Sequence, residues 1–146
     1  MSAQDDAHFG ITHLTEAECW EAIRGAEVGR IAVVVDGRPE IFPINHVVDE
    51  GTVVFRSGEG TKFDGALNAA PVAFEVDGRD PETNAAWSAV VKGTVEAPGS
   101  IAEVIATLEL PISPWQAGLK SRYLRIVPSQ TSGRRFSVQR GGPSAG

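Results

Sequence analysis

The sequence is short of cysteine, of long apolar runs and of positive charge, and each shortage narrows what the molecule can be. Its one cysteine, Cys19, has no second thiol to pair with, so the fold must rest on a hydrophobic core without covalent staples. The longest purely apolar run is Ile31–Val35, far below the roughly 20 residues that a membrane-crossing helix needs. Lys and Arg number 13 against 19 Asp and Glu, a net charge of −6, and that balance opposes general adhesion to nucleic acid. Met1–Asp6 has neither the basic start nor the apolar stretch of a secretory leader, which together with the lone thiol predicts a reducing, cytoplasmic setting.

What remains is an ordinary globular composition. The 146 residues suit one domain, 42% are hydrophobic and 22% charged, and 16 Gly with 9 Pro announce many turns. Residues 1–13 and 139–146 lack any hydrophobic period and are expected to be flexible, leaving 14–138 as the folded unit. Thr15-Glu16-Ala17-Glu18 has the spacing of a capping box, and Cys19, Trp20, Ile23 and Ala26 recur at helical spacing, so a helix is predicted from Glu16 to Ala26. Three β-rich runs follow, Arg30–Val35, Glu40–Val48 and Thr52–Arg56. The turns between them carry Asp36-Gly37 and Glu50-Gly51, which favours sequential hairpins. Further strands are predicted at Val72–Val76, Ala86–Val95, Tyr123–Val127 and Phe136–Val138, with short helices over 62–68 and from 100 to 108. Neither face of Glu40–Val48 is plainly polar, so both faces are expected to be covered. Many strands with few helices imply a small antiparallel barrel, because closure removes exposed edges.

One segment has the makings of an anion seat. Phe55-Arg56-Ser57-Gly58-Glu59-Gly60-Thr61-Lys62 joins a strand end, two glycines, hydroxyls and two cations at a predicted helix start. Backbone N–H groups and the helix dipole favour a phosphate there, with Arg56, Thr61 and Lys62 adding charge-assisted contacts. An ordinary capped turn with solvated cations fits the same spacing. The segment is not a Walker loop, since Gly60 is followed by Thr61 rather than lysine. Pro43 marks a second feature: it has no N–H to give a sheet ladder, so it lies at an edge, a bulge or an interruption. His46 alternates to the face opposite Asn45, where packing outweighs catalysis. No histidine has a second ligand at metal-binding spacing, and Cys19, inside a helix pattern, reads as a small buried hydrophobe.

The order Gly29-Arg30-Ile31-Ala32-Val33, Ile41-Phe42-Pro43-Ile44-Asn45, Val53-Val54-Phe55-Arg56-Ser57-Gly58, Thr61-Lys62, Val72-Ala73-Phe74-Glu75-Val76 and Trp87-Ser88-Ala89-Val90-Val91-Lys92-Gly93 resembles the pyridoxamine 5′-phosphate oxidase-like, flavin-binding split-barrel proteins of the compact actinobacterial type. The resemblance implies a six-stranded antiparallel split barrel that forms a homodimer, with two FMN sites in the grooves between subunits. By family position Arg56 or Ser57 with Thr61 and Lys62 hold the FMN phosphate. Pro43, Ile44 and Asn45 run beside the isoalloxazine ring, and Trp87 and Ser88 approach from a neighbouring strand or from the other chain. The implied activity is that of an FMN-dependent oxidoreductase acting on a small organic substrate, with NAD(P)H as a hydride source. The alternative is a noncatalytic carrier of flavin, of a deazaflavin of the coenzyme F420 type, or of haem. The basic and histidine residues that grip the substrate phosphate in full-length pyridoxamine phosphate oxidases have no counterpart here, which argues against vitamin B6 oxidation.

Overall fold

The computed structural model describes residues 10–58, 67, 70–97 and 121–138. The helix expected over 62–68, residue 67 apart, the helix expected over 100–108, the segments 1–9 and 139–146, and Trp115 lie outside the described residues. The rest forms a mostly β, antiparallel fold. Its elements are β1 (Ile11–His13), α1 (Glu16–Gly25), β2 (Val28–Val35), β3 (Arg38–Asp49), β4 (Thr52–Gly58), β5 (Pro71–Asp80), β6 (Ala85–Glu96) and β7 (Ser121–Ser137).

Helix α1 begins with the predicted reciprocal cap: the Thr15 amide donates to Glu18 Oε1 at 2.8 Å and the Glu18 amide to Thr15 Oγ1 at 3.2 Å. Those bonds to Thr15 hold the Glu18 carboxyl below the usual carboxylate range. The helix ends at Gly25, one residue short of the expected limit, because Ala26 has already turned extended. It buries Cys19, Trp20 and Ile23 against the barrel.

The hairpins follow from their turns. Asp36 and Gly37 have φ of 52° and 75°, and Glu50 and Gly51 have 49° and 72°. Positive φ at both central residues is the type I′ geometry, whose twist matches the flanking strands. Strands β2, β3, β4, β7, β6 and β5 pair in that circular order, with β5 returning to β2, so six strands close a barrel. The β1 strand adds to the outside of β7, with Ile11 opposite Phe136, so ordered structure begins inside the stretch 1–13 expected to be flexible. The two expected strands Tyr123–Val127 and Phe136–Val138 are parts of one 17-residue strand, β7. Its first part, to Ile126, pairs with β4, and its later part, from Arg125, pairs with β6.

Inward positions alternate as a half-buried sheet requires. Ile31, Val33, Ile44, Val53, Phe55, Phe74, Val76, Val91, Leu124 and Ile126 fill the barrel, and Cys19, Trp20 and Ile23 close one end. The outward face of β3 is different from expectation. Ile41 is 66% exposed, Val34, diagonal to it on β2, is 58% exposed, and Val28 farther along β2 is 48% exposed, so one face only is covered within the chain.

The long strand β7 bends where it changes neighbour. Its register on β6 slips from Lys92 opposite Gln130 to Gly93 opposite Pro128, leaving Ser129 as the extra residue of a bulge. The Ser129 hydroxyl donates to the Lys92 carbonyl at 3.0 Å. Proline is tolerated at such an irregularity because no ladder bond is asked of it. The bulge brings the chain so close that a Cβ on Gly93 would lie 2.0 Å from the Val127 carbonyl oxygen, a backbone atom with no way to yield. Gly93→Ala is expected to cost about 2–3 kcal/mol and to lower Tm by about 5–10 °C. Gly25→Ala, where a Cβ meets nothing within 4 Å, should leave Tm unchanged or raise it slightly. Thermal melting of the two variants, followed by circular dichroism, checks both.

Candidate functional site

The barrel is forked along one seam. Residues Arg38–Asn45 of β3 pair with β2, whereas His46–Asp49 pair with β4. The last β3–β4 pair is His46 opposite Phe55. Beyond it β4 continues on β7, with Arg56 opposite Tyr123 and Ser57 opposite Arg122, so β3 and β4 part company with Asn45 and Arg56 at the fork. No described strand pairs with the free edge of β3.

The backbone of that edge is oriented by one bond. The His46 amide donates to the Glu27 carbonyl at 3.2 Å, which fixes even-numbered β3 residues as those whose backbone groups face β2. Ile41, Pro43 and Asn45 therefore turn theirs into the fork. Pro43, opposite Arg30, removes one donor from the free edge and costs the β2–β3 ladder nothing. The edge thus offers the amides of Ile41 and Asn45 and the carbonyls of all three, beside an apolar stretch of chain.

The Arg56 guanidinium stands over the Tyr123 ring, 5.3 Å from its centroid, a cation–π contact that fixes the cation beside the fork. Ser57 follows it on the same strand. Thr61 and Lys62, the other two members of the expected phosphate seat, lie outside the described residues. The structure thus brings together Pro43, Ile44, Asn45, Arg56 and Ser57. Within this group Ile44 turns its side chain into the core, 8% exposed, and its backbone groups toward β2, so it offers the fork no polar group of its own.

Trp87 and Ser88 are placed elsewhere. They lie on β6, opposite Gly78 and Asp77 of β5, and β6 is separated from β3 by β2 and β5. Within the single chain they stand three strand spacings from β3, about 14 Å along the wall; the expected approach from the other chain concerns an assembly outside the single chain. Trp87 packs over Gly78, whose Cβ would fall 2.4 Å from the indole. It lines a groove of about 560 Å³ under α1, together with Glu18, Glu21, Asp77 and Arg135.

Two charged clusters escaped the reading of the sequence. Arg125 is 8% exposed; its Nη2 donates to Asp49 Oδ2 at 2.8 Å and its Nη1 to Thr52 Oγ1 at 2.9 Å. This clamp ties the turn end of the β3–β4 hairpin to β7. A single cation inside the apolar run Tyr123–Val127 was the available signal, since such a residue needs a buried partner. On the outer wall Arg30 reaches Asp77 at 3.1 Å and Glu75 at 3.7 Å, an exposed network worth little to stability. Among the described residues no group of three His, Cys, Asp or Glu is placed to hold a metal ion. No described helix is long and apolar enough to cross a membrane.

A forked six-stranded antiparallel barrel capped by one helix is a fold with known relatives. Residues 15–135 match the family described as pyridoxamine 5′-phosphate oxidase. The chain belongs to that family. Among solved structures, the FAD-binding protein of Mycobacterium smegmatis is 38% identical, with a TM-score of 0.75, and the match covers 86% of this chain and 99% of that one. A FAD-binding protein of Mesorhizobium loti is 25% identical, with a TM-score of 0.70, covering 88% of this chain and 98% of that one. An uncharacterized protein of Mycobacterium tuberculosis is 35% identical over 90 residues, which is 62% of this chain and 80% of that protein. The family match reaches from the Thr15 cap to Arg135, and so takes in the helix, the fork and the β6–β7 seam.

The Arg125 clamp yields a test. Arg125→Ala would leave the Asp49 carboxylate without its partner in a half-buried position. The expected loss is at most about 3 kcal/mol, because Asp49 retains some water, whereas a fully buried broken pair costs about 3–5 kcal/mol. Chemical denaturation should show a lower midpoint with an unchanged slope.

Proposed function

We propose that this protein is a flavin-dependent oxidoreductase whose fork holds FMN, either free or as the FMN half of FAD. The observation that carries the reading is the β3 edge at Pro43, which no described strand pairs and where backbone amides and carbonyls face the fork beside the Arg56 cation. A flavin ring has apolar faces and a hydrogen-bonding rim, and that edge matches the rim while Arg56 and the loop that follows match the phosphate. Thr61 and Lys62 complete the phosphate contacts by family position. When bound, the flavin supplies hydride chemistry, so this chain needs no nucleophile of its own. Its residues bind, orient and shield. The names of the Mycobacterium smegmatis and Mesorhizobium loti proteins support a flavin nucleotide as the ligand class. A carrier that stores flavin, deazaflavin or haem without turnover is the competing reading.

The reading also assigns the exposed outer wall. Val28, Val34 and Ile41 are large apolar groups at the surface, and a groove of about 480 Å³ beside them is lined by Ala32, Pro39, Pro71 and Ala73. Exposed large apolar side chains of this kind on one wall support contact with a second copy. In a homodimer the Trp87 and Ser88 of one chain reach the fork of the other, which reconciles their family role with their distance in the single chain. The substrate is a small organic molecule and NAD(P)H the donor of hydride.

Two measurements test these assignments. Purified protein titrated with FMN and with FAD should quench flavin fluorescence, and the Thr61→Ala, Lys62→Ala double variant should weaken binding by about 3–5 kcal/mol, since charge-assisted contacts contribute about 1.5–3 kcal/mol each. Absence of binding to either flavin by wild-type protein removes the proposal, and a Soret band in the purified protein favours haem. Anaerobic NADPH should bleach the bound flavin; failure to do so with either nicotinamide favours the carrier. For the assembly, light scattering should give a dimer that Ile41→Glu converts to a monomer.

A further inference from the structure

Among the described residues His46 is a buried titratable side chain that the flavin reading leaves unused. It is 5% exposed and sits on β3 at the position where the strand leaves β2 for β4. Its Nε2 lies 2.8 Å from the Ile23 carbonyl, in the last turn of α1. A carbonyl only accepts, so the proton is on Nε2 and the neutral ring keeps a bare lone pair on Nδ1. That Nδ1 is buried and has no hydrogen-bond partner among the described residues. The ring meets Phe74 edge to face, with centroids 4.8 Å apart, so one side of the imidazole is walled by hydrocarbon.

We propose that His46 is a proton-operated latch that joins α1 to the fork of the barrel, closed when the ring is neutral and released when Nδ1 gains a proton. The neutral ring satisfies a helix-end carbonyl that would otherwise be orphaned. A proton on Nδ1 would place a charge and a second donor where there is no acceptor, and the ring then reaches water only by leaving Ile23. Because the same residue makes the first β3–β4 pair, releasing it loosens the helix and the apex of the fork together.

The charged groups around this position do not rescue the cation. On and after α1 they are Glu21, Arg24 and Glu27, all exposed. On β5, Glu75 and Asp77 engage Arg30 on the outer wall. Across β3–β4 and β7, Asp49 is held by Arg125, and Arg56 lies over Tyr123. Burial pushes the His46 ring below the ordinary histidine range, and the Ile23 carbonyl opposes this only in part. The sign follows: stability from the neutral ring is complete above the unfolded value near 6.5 and is lost as pH falls from there toward the lower folded value.

The test is hydrogen exchange of the α1 amides in the intact chain at pH 7.5 and pH 5.0, expressed as protection factors, in wild type and in His46→Gln. Glutamine keeps a side-chain N–H for Ile23 and does not titrate. Wild-type protection of the last α1 turn should fall by up to about 30-fold over this range, and that of His46→Gln by less than about threefold. Nitrogen NMR of the wild-type imidazole gives an independent reading should the variant fail to fold. It should find the Nε2–H tautomer at pH 7.5 and a protonation midpoint shared with the α1 signals. An equal pH response in the variant, or protonation of the wild-type ring without any change in α1, overturns the latch.

Discussion

A strand can pair with two neighbours along different parts of its length, and in this molecule everything of functional interest depends on β3 doing so. Up to Asn45 it belongs to β2, and from His46 it belongs to β4. The hand-over leaves an edge with unmet hydrogen-bonding capacity in a fold whose closure otherwise removes edges. The type I′ turns at Asp36-Gly37 and Glu50-Gly51 determine both registers, and the Arg125 clamp holds the second. The fork is therefore bounded by a local turn at each end, the second of them secured by the long-range Arg125–Asp49 pair.

The strand β7 has the complementary task. It too serves two neighbours, β4 and then β6, and the bulge at Ser129 lets it bend without breaking. Two dual-purpose strands make a barrel that is closed overall and open locally, which is how a small domain can combine a dry core with a cleft in its wall. The helix α1 seals the end of the core with Cys19, Trp20 and Ile23, and its attachment through His46 reaches the same point at which the wall opens.

Much of this was legible from residues alone. The capping box at Thr15 and Glu18, the helical spacing of Cys19, Trp20 and Ile23, and the two glycine turns are local signals, and each produced the element it implied. Pro43 was legible as an interruption because a missing donor is a property of the residue itself. What the sequence could not express was partnership across distance. The alternation of β3 gave two faces of similar polarity, and only pairing decides that Ile44 goes in and Ile41 stays out. Tyr123–Val127 and Phe136–Val138 looked separate because Pro128 and Gly133 between them mimic loop chemistry, yet the bulge absorbs the proline. Family position brings Trp87 and Ser88 to the ring from a neighbouring strand or from the other chain, and within one chain barrel order puts two strands between them and β3. The salt links of Arg125 and Arg30 span 76 and 47 residues, and no local pattern encodes separations of that size.

An unpaired sheet edge is also an invitation to polymerise, since any extended chain can add to it. The edge of β3 carries its own deterrent. Pro43 lies midway along the exposed row, so an incoming strand would find one donor missing and a ring in its way. A small planar molecule needs no continuous ladder and is not discouraged. The residue that the proposed reading sets beside a ligand is thus also one that opposes strand addition, and replacing it with a strand-forming residue would raise the risk of self-association.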